Sequence, residues 1–379
     1  MNILFISHDA QRAGAQMQLL LFLKWLKKNK PNIRFDILLA AAGPLLEEYE
    51  KAGRVYRLPR NKKKSNLLIQ WRLNQKKKAL FQTLSRNKYD LIYNSTIVNG
   101  HLLHELSFLN LPVITDANEL DFWIDKSGKK NMEYIARYTK HYITASQSVA
   151  DCLIKRGYAI KDNAEPNYVI VDMEKISDAS KLRSLHKELS IPKNALIIGS
   201  CGAEVFRKGK DLFLHIANDI LSREKDKDIH FVWIGGTMSE DIQFDWDRSP
   251  YASRIHFMDH TPHATTYFHE FDIFLMLSRD DPFPIVNVEV GVWGVPVVCF
   301  EDTGGATELI GNEGGISVPY GDLRAYGNAV SELIIDEEKR KRMGQFLKEK
   351  VANNYGIDKI CTRLDEIIER VTRQTNNDQ

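Results

Sequence analysis

Short, almost entirely apolar segments recur along the chain, and each is followed by a loop with small residues and then by a helix-forming segment. The first is NILFIS at residues 2–7, and further examples lie at 90–94, 230–236 and 271–278. Continuous apolar runs of this kind are typical of parallel strands buried on both faces, because helices cover both sides of such a sheet. The alternation therefore predicts an α/β fold with doubly wound, Rossmann-like parallel sheets.

The length of the chain predicts more than one such sheet. With 379 residues, the chain exceeds what one ordinary hydrophobic core supports. We expect a first domain at 1–167 and a second domain at 168–355, which opens with a strand at 168–171. The remainder, 356–379, is expected to be a helix at about 357–371 that crosses back onto the first domain and ends in a frayed tail.

Composition excludes several classes of protein. The chain is 43% hydrophobic and 27% charged, which is typical of a soluble globular protein. No apolar run approaches the roughly 18–20 residues of a membrane span, and the opening MNILFIS predicts a strand rather than a signal peptide. The four cysteines lie far apart without a CxxC pair, which argues against a zinc ribbon or a disulfide framework. These features predict a cytoplasmic protein.

Positive charge is concentrated at the amino-terminal end. Residues 1–80 contain 17 Lys and Arg against 5 Asp and Glu, whereas residues 166–379 contain 25 against 35. Such asymmetry suggests an anionic partner for the basic end. We expect no nucleic acid, because the basic residues lack interleaved aromatic side chains and any zinc or RRM-like motif.

The segment 57–78 carries much of this excess charge. It begins at Arg57 and ends at Lys78, and it places Leu67-Leu68-Ile69 and Trp71 between two lysine clusters. A basic amphipathic segment with a tryptophan suits the head-group layer of an anionic membrane, where each Lys or Arg contributes about 1 kcal/mol. The alternative is a solvated loop followed by an ordinary surface helix that packs Leu67-Leu68-Ile69 inward.

Two acids flank a proline-rich turn in the segment 278–298, SRDDPFPIVNVEVGVWGVPVV. Asp281 precedes Pro-Phe-Pro, and Glu289 follows it with seven residues between the two acids. The pattern predicts a helix that starts near Glu289 and that Gly294 and Pro296 end. Both acids can then face the carboxyl edge of a sheet, where open α/β folds bind ligands. The alternative is a strand–turn–helix connection with solvated acids.

The segment 195–217 repeats the order of strand, glycine-containing loop and helix. Gly202 allows a ligand to approach the backbone, and Arg207 and Lys208 come just before the expected helix. Two cations and a helix N-terminus at one point suit a diphosphate. The alternative for this segment alone is a solvated cationic turn.

These motifs together resemble the retaining nucleotide-sugar glycosyltransferases of family 4, which have the two-domain GT-B architecture. The motif of that family is an acid, seven residues, Glu, small residues, Gly-x-Pro and Val-Val. The matching residues here are Asp281, Glu289, Gly294, Pro296, Val297 and Val298. The order of landmarks also fits along nearly the whole chain. The resemblance implies two Rossmann-like domains that face each other across a cleft, with the acceptor on the first and the nucleotide-sugar donor on the second.

The sequence departs from the family pattern at several positions. Asp281 stands where most members have Glu, and the two prolines of the turn stand where many have Gly. In the pattern Gly-Arg, four residues, Lys-Gly, Ala203 replaces the Arg, and Asn118 replaces a common His. We hypothesise that Arg207, one turn later, supplies the charge that Ala203 lacks.

The resemblance implies a donor site on the second domain. Lys208 and Arg207 would stabilise the leaving diphosphate and Asp281 would hold sugar hydroxyls, so these three are the expected catalytic residues. Glu289 is expected to bind the ribose hydroxyls, and the backbone around Met258 is expected to meet the nucleobase. The remaining expected donor-binding residues are Gly14, Asn118, Gly202, Phe283, Ile285, Val286, Gly304 and Gly305. In the proline-rich turn, the N–H donors must come from the residues that are not proline.

The resemblance also implies a reaction without a protein nucleophile, a metal or another cofactor. The acceptor attacks from the face that the diphosphate leaves, so the configuration is retained and the leaving phosphate takes the acceptor's proton. Asp245-Trp246-Asp247 spells a DxD metal motif, but no strand precedes it to aim the carboxylates. The histidines at 256, 260, 263 and 269 lack the paired spacing of metal ligands on one helix face. We therefore expect no metal site.

The function that fits these expectations is sugar transfer from a nucleotide diphosphate sugar to a glycan or lipid-linked acceptor in the synthesis of a cell-surface polysaccharide. We expect a cytoplasmic enzyme held at the inner face of the membrane. Two alternatives stay open. The first is a catalytically inactive, glycosyltransferase-like binding subunit, which Ala203 and Asn118 favour. The retained Lys208, Asp281 and Glu289 oppose it. The second is a sugar-nucleotide epimerase, which would need no acceptor.

Overall fold

The structure is a computed structural model, and it describes residues 1–59 and 67–377. The chain divides into two compact units, Met1–Ile170 together with Ile357–Gln379, and Val171–Gly356. Each unit is built on one parallel sheet and has its own hydrophobic core. The predicted α/β class, with two Rossmann-like domains, is confirmed.

The first unit contains a seven-stranded sheet in the order β3-β2-β1-β4-β5-β6-β7. Its strands are β1 (Asn2–Ser7), β2 (Arg34–Leu39), β3 (Arg54–Arg57), β4 (Leu91–Asn94), β5 (Val113–Ala117), β6 (Thr139–Thr144) and β7 (Ala164–Pro166). All neighbouring pairs are parallel. The central position of β1 follows from its apolar run, because helices on both faces exclude water from Phe5 and Ile6 alike.

Helices connect these strands. They are α1 (Gly14–Asn29), α2 (Leu46–Ala52), α3 (Leu67–Arg86), α4 (Gly100–Leu106), α5 (Asp121–Ser127), α6 (Lys129–Tyr138) and α7 (Gln147–Lys155). The apolar face of α1 packs on the sheet, and the ring centroids of Phe22 and Phe5 lie 6.1 Å apart in an edge-on arrangement. Since aromatic pairs favour this geometry, the contact fixes α1 against the middle of the sheet.

The second unit contains a six-stranded parallel sheet in the order β10-β9-β8-β11-β12-β13. Its strands are β8 (Leu196–Cys201), β9 (Ile229–Ile234), β10 (Ile255–Met258), β11 (Ile273–Met276), β12 (Val297–Phe300) and β13 (Gly315–Val318). The chain winds outward from β8 to β10 and then resumes on the other side of β8 with β11. The point between β8 and β11 is therefore a topological switch point, where the loops beyond the strands open a crevice.

The helices of the second unit are α8 (Met173–Ile176), α9 (Leu185–Glu188), α10 (Lys210–Arg223), α11 (Glu240–Asp247), α12 (Ile285–Gly291), α13 (Ala306–Ile310), α14 (Leu323–Ile335) and α15 (Glu337–Asn354). The expected helix start near Glu289 is wrong, because α12 already begins after Pro284. Proline fixes its own φ and is tolerated at the start of a helix, so the proline-rich turn leads directly into α12. Gly294, with φ of +75°, follows the end of this helix.

The strand expected at 168–171 is also wrong. The last strand of the first sheet is β7, which ends at Pro166, and within 168–171 only Val171 forms an isolated bridge, with Gly356. The side chain of Gln18, and not a neighbouring strand, forms hydrogen bonds with the backbone of Ile170. Its amide donates to the carbonyl of Ile170 at 3.0 Å and accepts from the N–H of Ile170 at 2.5 Å. The apolar run of 168–171 reflects burial without strand pairing.

The last helix, α16 (Ile357–Asn377), belongs to the first unit. It extends beyond the expected end near residue 371. Its buried side chains Leu364 and Ile368 join the core of the first unit, and Trp25 Nε1 donates to Asp358 Oδ1 at 2.8 Å. Apolar residues at a helical spacing of three and four give α16 one buried face, which explains why it packs on this core.

Candidate functional site

The loops that follow β8 and β11 meet at the switch point of the second sheet. Lys208 and Arg207 lie on the first loop, and Asp281 lies on the second. Lys208 Nζ is 2.5 Å from Asp281 Oδ2, and Arg207 Nη1 is 3.6 Å from the same oxygen. The structure thus brings together the three expected catalytic residues, although Lys208 and Asp281 are 73 positions apart in the sequence.

The carboxylate of Asp281 is held on several sides. Asp281 is only 7% exposed, and Ser278 Oγ donates to its Oδ2 at 3.3 Å. The backbone N–H of Asp281 donates to the carbonyl of Thr303 at 2.8 Å. Arg207 Nη1 also donates to the carbonyl of Asp280 at 3.2 Å. These bonds fix the direction of the carboxylate between the two cations.

Gly209 explains how the cationic loop comes so close to β11. It adopts φ of +72°, and a Cβ at this position would lie 2.2 Å from the carbonyl oxygen of Leu277. Only glycine fits such a conformation and such a contact. The Lys-Gly pair therefore presses the loop against the residues just after β11 and sets the distance between Lys208 and Asp281.

The loop after β12 forms a third side of the site. Gly304 pairs with Asp281 in an isolated parallel bridge, and the N–H of Gly305 donates to the carbonyl of Pro282 at 3.0 Å. Gly304 has φ of +127°, a conformation that glycine adopts without steric cost. Gly304 and Gly305 are thus brought to the same point as Asp281.

The non-proline residues of the proline-rich turn lie at the start of α12. Ile285 and Val286 belong to its first turn, where N–H groups lack partners within the helix. Phe283 is buried, and its ring stacks on Tyr355 with centroids 5.7 Å apart. The Phe283 side chain therefore anchors the turn.

Glu289 lies on α12 and is half-buried. Burial raises the pKa of its carboxyl to about 7, while the charges of Lys175 and Lys208 act in the opposite direction. A carboxyl with this pKa changes protonation state near neutral pH and accepts hydrogen bonds best when it is ionised.

Gly202 directly follows β8, and Met258 is the last residue of β10. The N–H of Gly202 donates to the carbonyl of Ile234 at 3.0 Å, and the N–H of Gly235 donates to the carbonyl of Met258 at 2.9 Å. Trp233 Nε1 donates to the carbonyls of Gly202 and Gly235 at 3.2 and 2.9 Å. A Cβ on Gly202 would lie 3.4 Å from the Lys208 side chain, so the lysine stem passes close over this glycine.

Lys210 was not singled out from the sequence, although it organises these loops. It is 3% exposed, and its Nζ bonds to Glu204 Oε2 at 3.2 Å and to the carbonyls of Gly236 and Thr237 at 3.2 and 2.7 Å. Burial lowers the pKa of this lysine, and Glu204 acts in the opposite direction. In the sequence, Lys210 is simply the second lysine of Arg-Lys-Gly-Lys, and a sequence does not show which way a side chain points.

Arg279 is the second residue that sequence reasoning missed. Its guanidinium makes a two-pronged contact with Asp211, at 2.9 and 2.6 Å, and lies 4.1 Å from the centroid of the Phe206 ring. Phe206 is 79% exposed. Arg279 therefore stiffens the outer edge of the cationic loop, next to Arg207.

Gly14 and Asn118 belong to the first unit, whereas the residues described above belong to the second. Gly14 is the first residue of α1. The backbone N–H of Asn118 donates to Glu119 Oε2 at 2.7 Å, and its side-chain amide donates to Asp116 Oδ1 at 2.9 Å. Burial raises the pKa of Asp116 to about 6 and that of Glu119 to about 7. Asn118 is thus held by the half-buried Asp116 and the buried Glu119 at the carboxyl end of β5.

Asp245, Trp246 and Asp247 lie within helix α11. The two aspartates are two positions apart, so they do not face each other on the helix. His256 Nε2 is 3.0 Å from His230 Nδ1, and burial lowers the pKa of His256 to about 4. Within the described part of the chain, no three His, Cys, Asp or Glu side chains form a cluster that could hold a metal ion.

The basic segment 57–78 is described in part, because residues 60–66 lie outside the described residues. Arg57 ends β3, and residues 67–78 form the first part of α3. Leu67, Leu68 and Ile69 are 83%, 72% and 47% exposed. The alternative in which these three pack inward is therefore wrong. Among residues 1–59 and 67–377, no helix has the length and hydropathy needed to cross a bilayer.

The sequence matches known proteins over part of its length. Residues 183–350 match the family model described as Glycosyl transferases group 1. A D-inositol 3-phosphate glycosyltransferase of Corynebacterium efficiens is 24% identical over 193 residues, which cover 49% of this chain and 45% of that protein. The capsular polysaccharide biosynthesis glycosyltransferase CapM of Staphylococcus aureus is 23% identical over 195 residues, or 50% of each chain. The chain spans about half the length of these curated relatives.

The fold matches solved structures over nearly the whole chain. Anabaena Alr3699/HepE in complex with UDP superposes with a TM-score of 0.79 at 20% identity, covering 98% of this chain and 100% of that one. The same protein in complex with UDP-glucose gives a TM-score of 0.77 over the same shares. At this identity the likeness establishes the fold, two Rossmann-like domains of the GT-B type.

Proposed function

We propose that this chain, a two-domain GT-B protein whose residues 183–350 match the glycosyl transferases group 1, moves a sugar from a nucleotide diphosphate to an acceptor hydroxyl. The observation that carries the proposal is the meeting of Lys208, Arg207 and Asp281 at the switch point of the second sheet. Cations of this kind bind phosphate oxygens, and a carboxylate between them can accept hydrogen bonds from sugar hydroxyls. The complexes of HepE with UDP and with UDP-glucose support a uridine diphosphate sugar as the donor.

The chemistry requires stabilisation of the leaving diphosphate. The bond between the anomeric carbon and the diphosphate oxygen breaks, and a new bond forms between that carbon and the acceptor oxygen. The acceptor oxygen enters on the face that the diphosphate leaves, so configuration is retained without a protein nucleophile. The proton of the acceptor hydroxyl passes to the departing phosphate oxygen. Lys208 and Arg207 are the groups whose charge opposes the charge that develops there, and this effect is typically worth about 3–4 kcal/mol for one donor.

The other residues of the site fit binding and orientation. Glu289 would accept hydrogen bonds from the ribose hydroxyls, and the loops with Gly202 and Gly304 would let the backbone approach the diphosphate. Asp281 has one methylene fewer than Glu, so its carboxylate lies further back and leaves more room at the sugar. With two cations at the diphosphate, the reaction proposed here uses no metal ion.

We propose a glycan or lipid-linked acceptor in the synthesis of a cell-surface polysaccharide. The similarity to CapM, a glycosyltransferase of capsular polysaccharide biosynthesis, supports this acceptor class. The exposed Leu67, Leu68 and Trp71, together with the basic amino-terminal half, support a peripheral position at the inner face of the membrane, where lipid-linked acceptors are accessible.

The proposal is tested with a panel of nucleotide sugars. A preferred donor should raise the unfolding temperature in proportion to its affinity, and UDP-glucose is the first member of the panel. Product analysis by NMR should then show transfer, or slow donor hydrolysis, with retained anomeric configuration and with an unchanged rate in the presence of EDTA. Absence of both donor binding and hydrolysis would identify an inactive binding subunit. Conversion of the donor to another nucleotide sugar without an acceptor would identify an epimerase.

A further inference from the structure

One face of helix α3 in the first unit combines apolar and polar side chains along the whole length of the helix. Side chains three or four residues apart lie on the same face of a helix. The members of this face are Leu67, Trp71, Asn74, Lys78, Phe81 and Ser85. At the beginning of this face, Leu67 and Trp71 are 83% and 60% exposed, and Leu68, next to the face, is 72% exposed. Large apolar side chains grouped in this way on a protein surface mark a binding surface.

The second half of this face forms one wall of an open groove. The other wall is the turn after α4, where Phe108 is 48% exposed. The rings of Phe81 and Phe108 lie 5.6 Å apart and form an aromatic floor. The groove has a volume of about 640 Å³. This volume lies within the range of roughly 300–1,000 Å³ that is typical of sites for small ligands.

The charges that line the groove are cationic. Lys77 is paired, because its Nζ lies 2.5 Å from Glu105 Oε1. Lys78 and Arg86 also line the groove, and within the described residues neither makes an ion pair. Lys78, Gln82 and Arg86 form a single row at a spacing of four residues, about 12 Å from end to end. This row offers hydrogen-bond donors to an anionic group with an attached polar chain.

The occupant must satisfy both ends of the face. A soluble anion would explain the row of donors but not the exposed Leu67 and Trp71 that continue the same face, or the exposed Leu68 beside them. A phospholipid with an anionic head group explains both, because its phosphate meets the cations while apolar side chains enter the interface beside it. Tryptophan is especially favoured at this depth of a bilayer.

We propose that the groove between α3 and Phe108 binds the phosphate-bearing head group of an anionic phospholipid. Leu67, Leu68 and Trp71 enter the surrounding interface. The groove thereby orients the first unit on the membrane. This inference deepens the proposed peripheral membrane position and rests on it.

The test is co-sedimentation of the full-length protein with phosphatidylcholine vesicles, with and without phosphatidylglycerol. Wild-type protein should bind only the vesicles that contain phosphatidylglycerol. The double variant Lys78→Gln/Arg86→Gln should bind them about 25-fold more weakly, since each cation contributes about fivefold. The matched control Lys225→Gln/Arg342→Gln removes one exposed lysine and one exposed arginine of the second unit and should bind like wild type.

A separate variant tests the apolar end. Leu68→Ser should weaken vesicle binding by a factor that persists in high salt, whereas the loss caused by the double variant should shrink as salt screens the charges. Leu68 is largely exposed, so this change leaves the fold intact. The unfolding temperature without ligand serves as the folding control for all variants, and each variant should match wild type.

Several outcomes would overturn the inference. They are equal vesicle binding by wild type and the Lys78/Arg86 variant, binding of glycerol 3-phosphate without any preference for vesicles, and binding of an RNA oligomer in place of vesicles. These results are distinct from failure of the proposed function. A protein that binds anionic vesicles through Lys78 and Arg86 but no nucleotide sugar keeps the groove and loses the donor site. A protein that binds UDP-glucose but no vesicles keeps the donor site and loses both the groove and the peripheral membrane position.

Discussion

Replacing Lys208 with alanine tests the chemistry most sharply, because this side chain links the cationic loop to Asp281. Its Nζ is the closest cation to the carboxylate, at 2.5 Å, whereas Arg207 stands at 3.6 Å and remains in the variant. Removal of one preorganised donor to a developing charge costs roughly 100- to 1,000-fold in kcat. Since Arg207 still opposes part of that charge, we expect the lower end, about 100-fold, or about 2.7 kcal/mol.

The assay is donor turnover with a fixed acceptor, or donor hydrolysis, measured as kcat and KM separately. A group that acts mainly in the transition state lowers kcat and kcat/KM together, whereas uniform donor binding changes only KM. Lys208→Ala also leaves Asp281 with fewer partners, which should lower the free energy of unfolding by about 1–3 kcal/mol. Rates are therefore compared well below the unfolding temperature, with Lys225→Ala, an exposed lysine of the same unit, as the control.

A kcat within threefold of wild type, with unchanged donor affinity, would refute the role of Lys208. A large rise in KM with kcat unchanged would assign Lys208 to binding alone and would move the stabilisation of the leaving group to Arg207 and the backbone N–H groups.

Three further predictions follow from the same geometry. Burial raises the pKa of Glu289 in the folded protein to about 7, above the value of 4.5 that is ordinary for a glutamate carboxyl, so the folded protein holds this proton more tightly than the unfolded chain. The contribution of Glu289 to the free energy of unfolding should therefore fall by up to about 3 kcal/mol as pH rises from 4.5 to 7. The difference in unfolding free energy between wild type and Glu289→Gln should fall with pH in the same way. Parallel curves of unfolding free energy against pH for the two proteins would contradict this prediction. Gly209→Ala should destabilise the second unit by at least about 1–3 kcal/mol in urea unfolding, because its Cβ would meet the carbonyl of Leu277 at a positive φ; an unchanged midpoint would show that the loop relaxes freely. Lys210→Met should raise the donor KM more than it lowers kcat, because Glu204 and two loop carbonyls lose their common partner and the loops that bind the donor are held less firmly. A fall in kcat as large as the rise in KM would instead indicate that Lys210 contacts the reacting groups.

The sequence was sufficient for the fold because its apolar runs are strong and regularly spaced. β1 and β11 are continuous apolar segments followed by loops and helices, so a parallel sheet was the expected arrangement. Prediction failed where apolar residues are buried without strand pairing. The run at 168–171 is an example, since the side chain of Gln18 binds the backbone of Ile170 there.

The core of the candidate site was also accessible from the sequence. Lys208 and Asp281 each follow a strand of the same sheet, and only the strand order was needed to place them together. The role of Lys210 was not accessible, because it depends on loop carbonyls that converge only in the fold.

The exposure of Leu67, Leu68 and Ile69 also could not be predicted from the helical pattern of the sequence. A helical periodicity identifies an apolar face but does not say whether the rest of the protein covers that face. In α3 the buried residue is Leu84, and the apolar side chains at the start of the helix face solvent.

The most direct measurement is a crystal structure of the protein grown with UDP-glucose. The account predicts that the diphosphate lies at the end of β8 and β11, with its oxygens within about 3 Å of Lys208 Nζ and of the Arg207 guanidinium, and with a sugar hydroxyl bonded to Asp281. A nucleotide sugar bound elsewhere, or one bound here with both cations turned away from its phosphates, would contradict it.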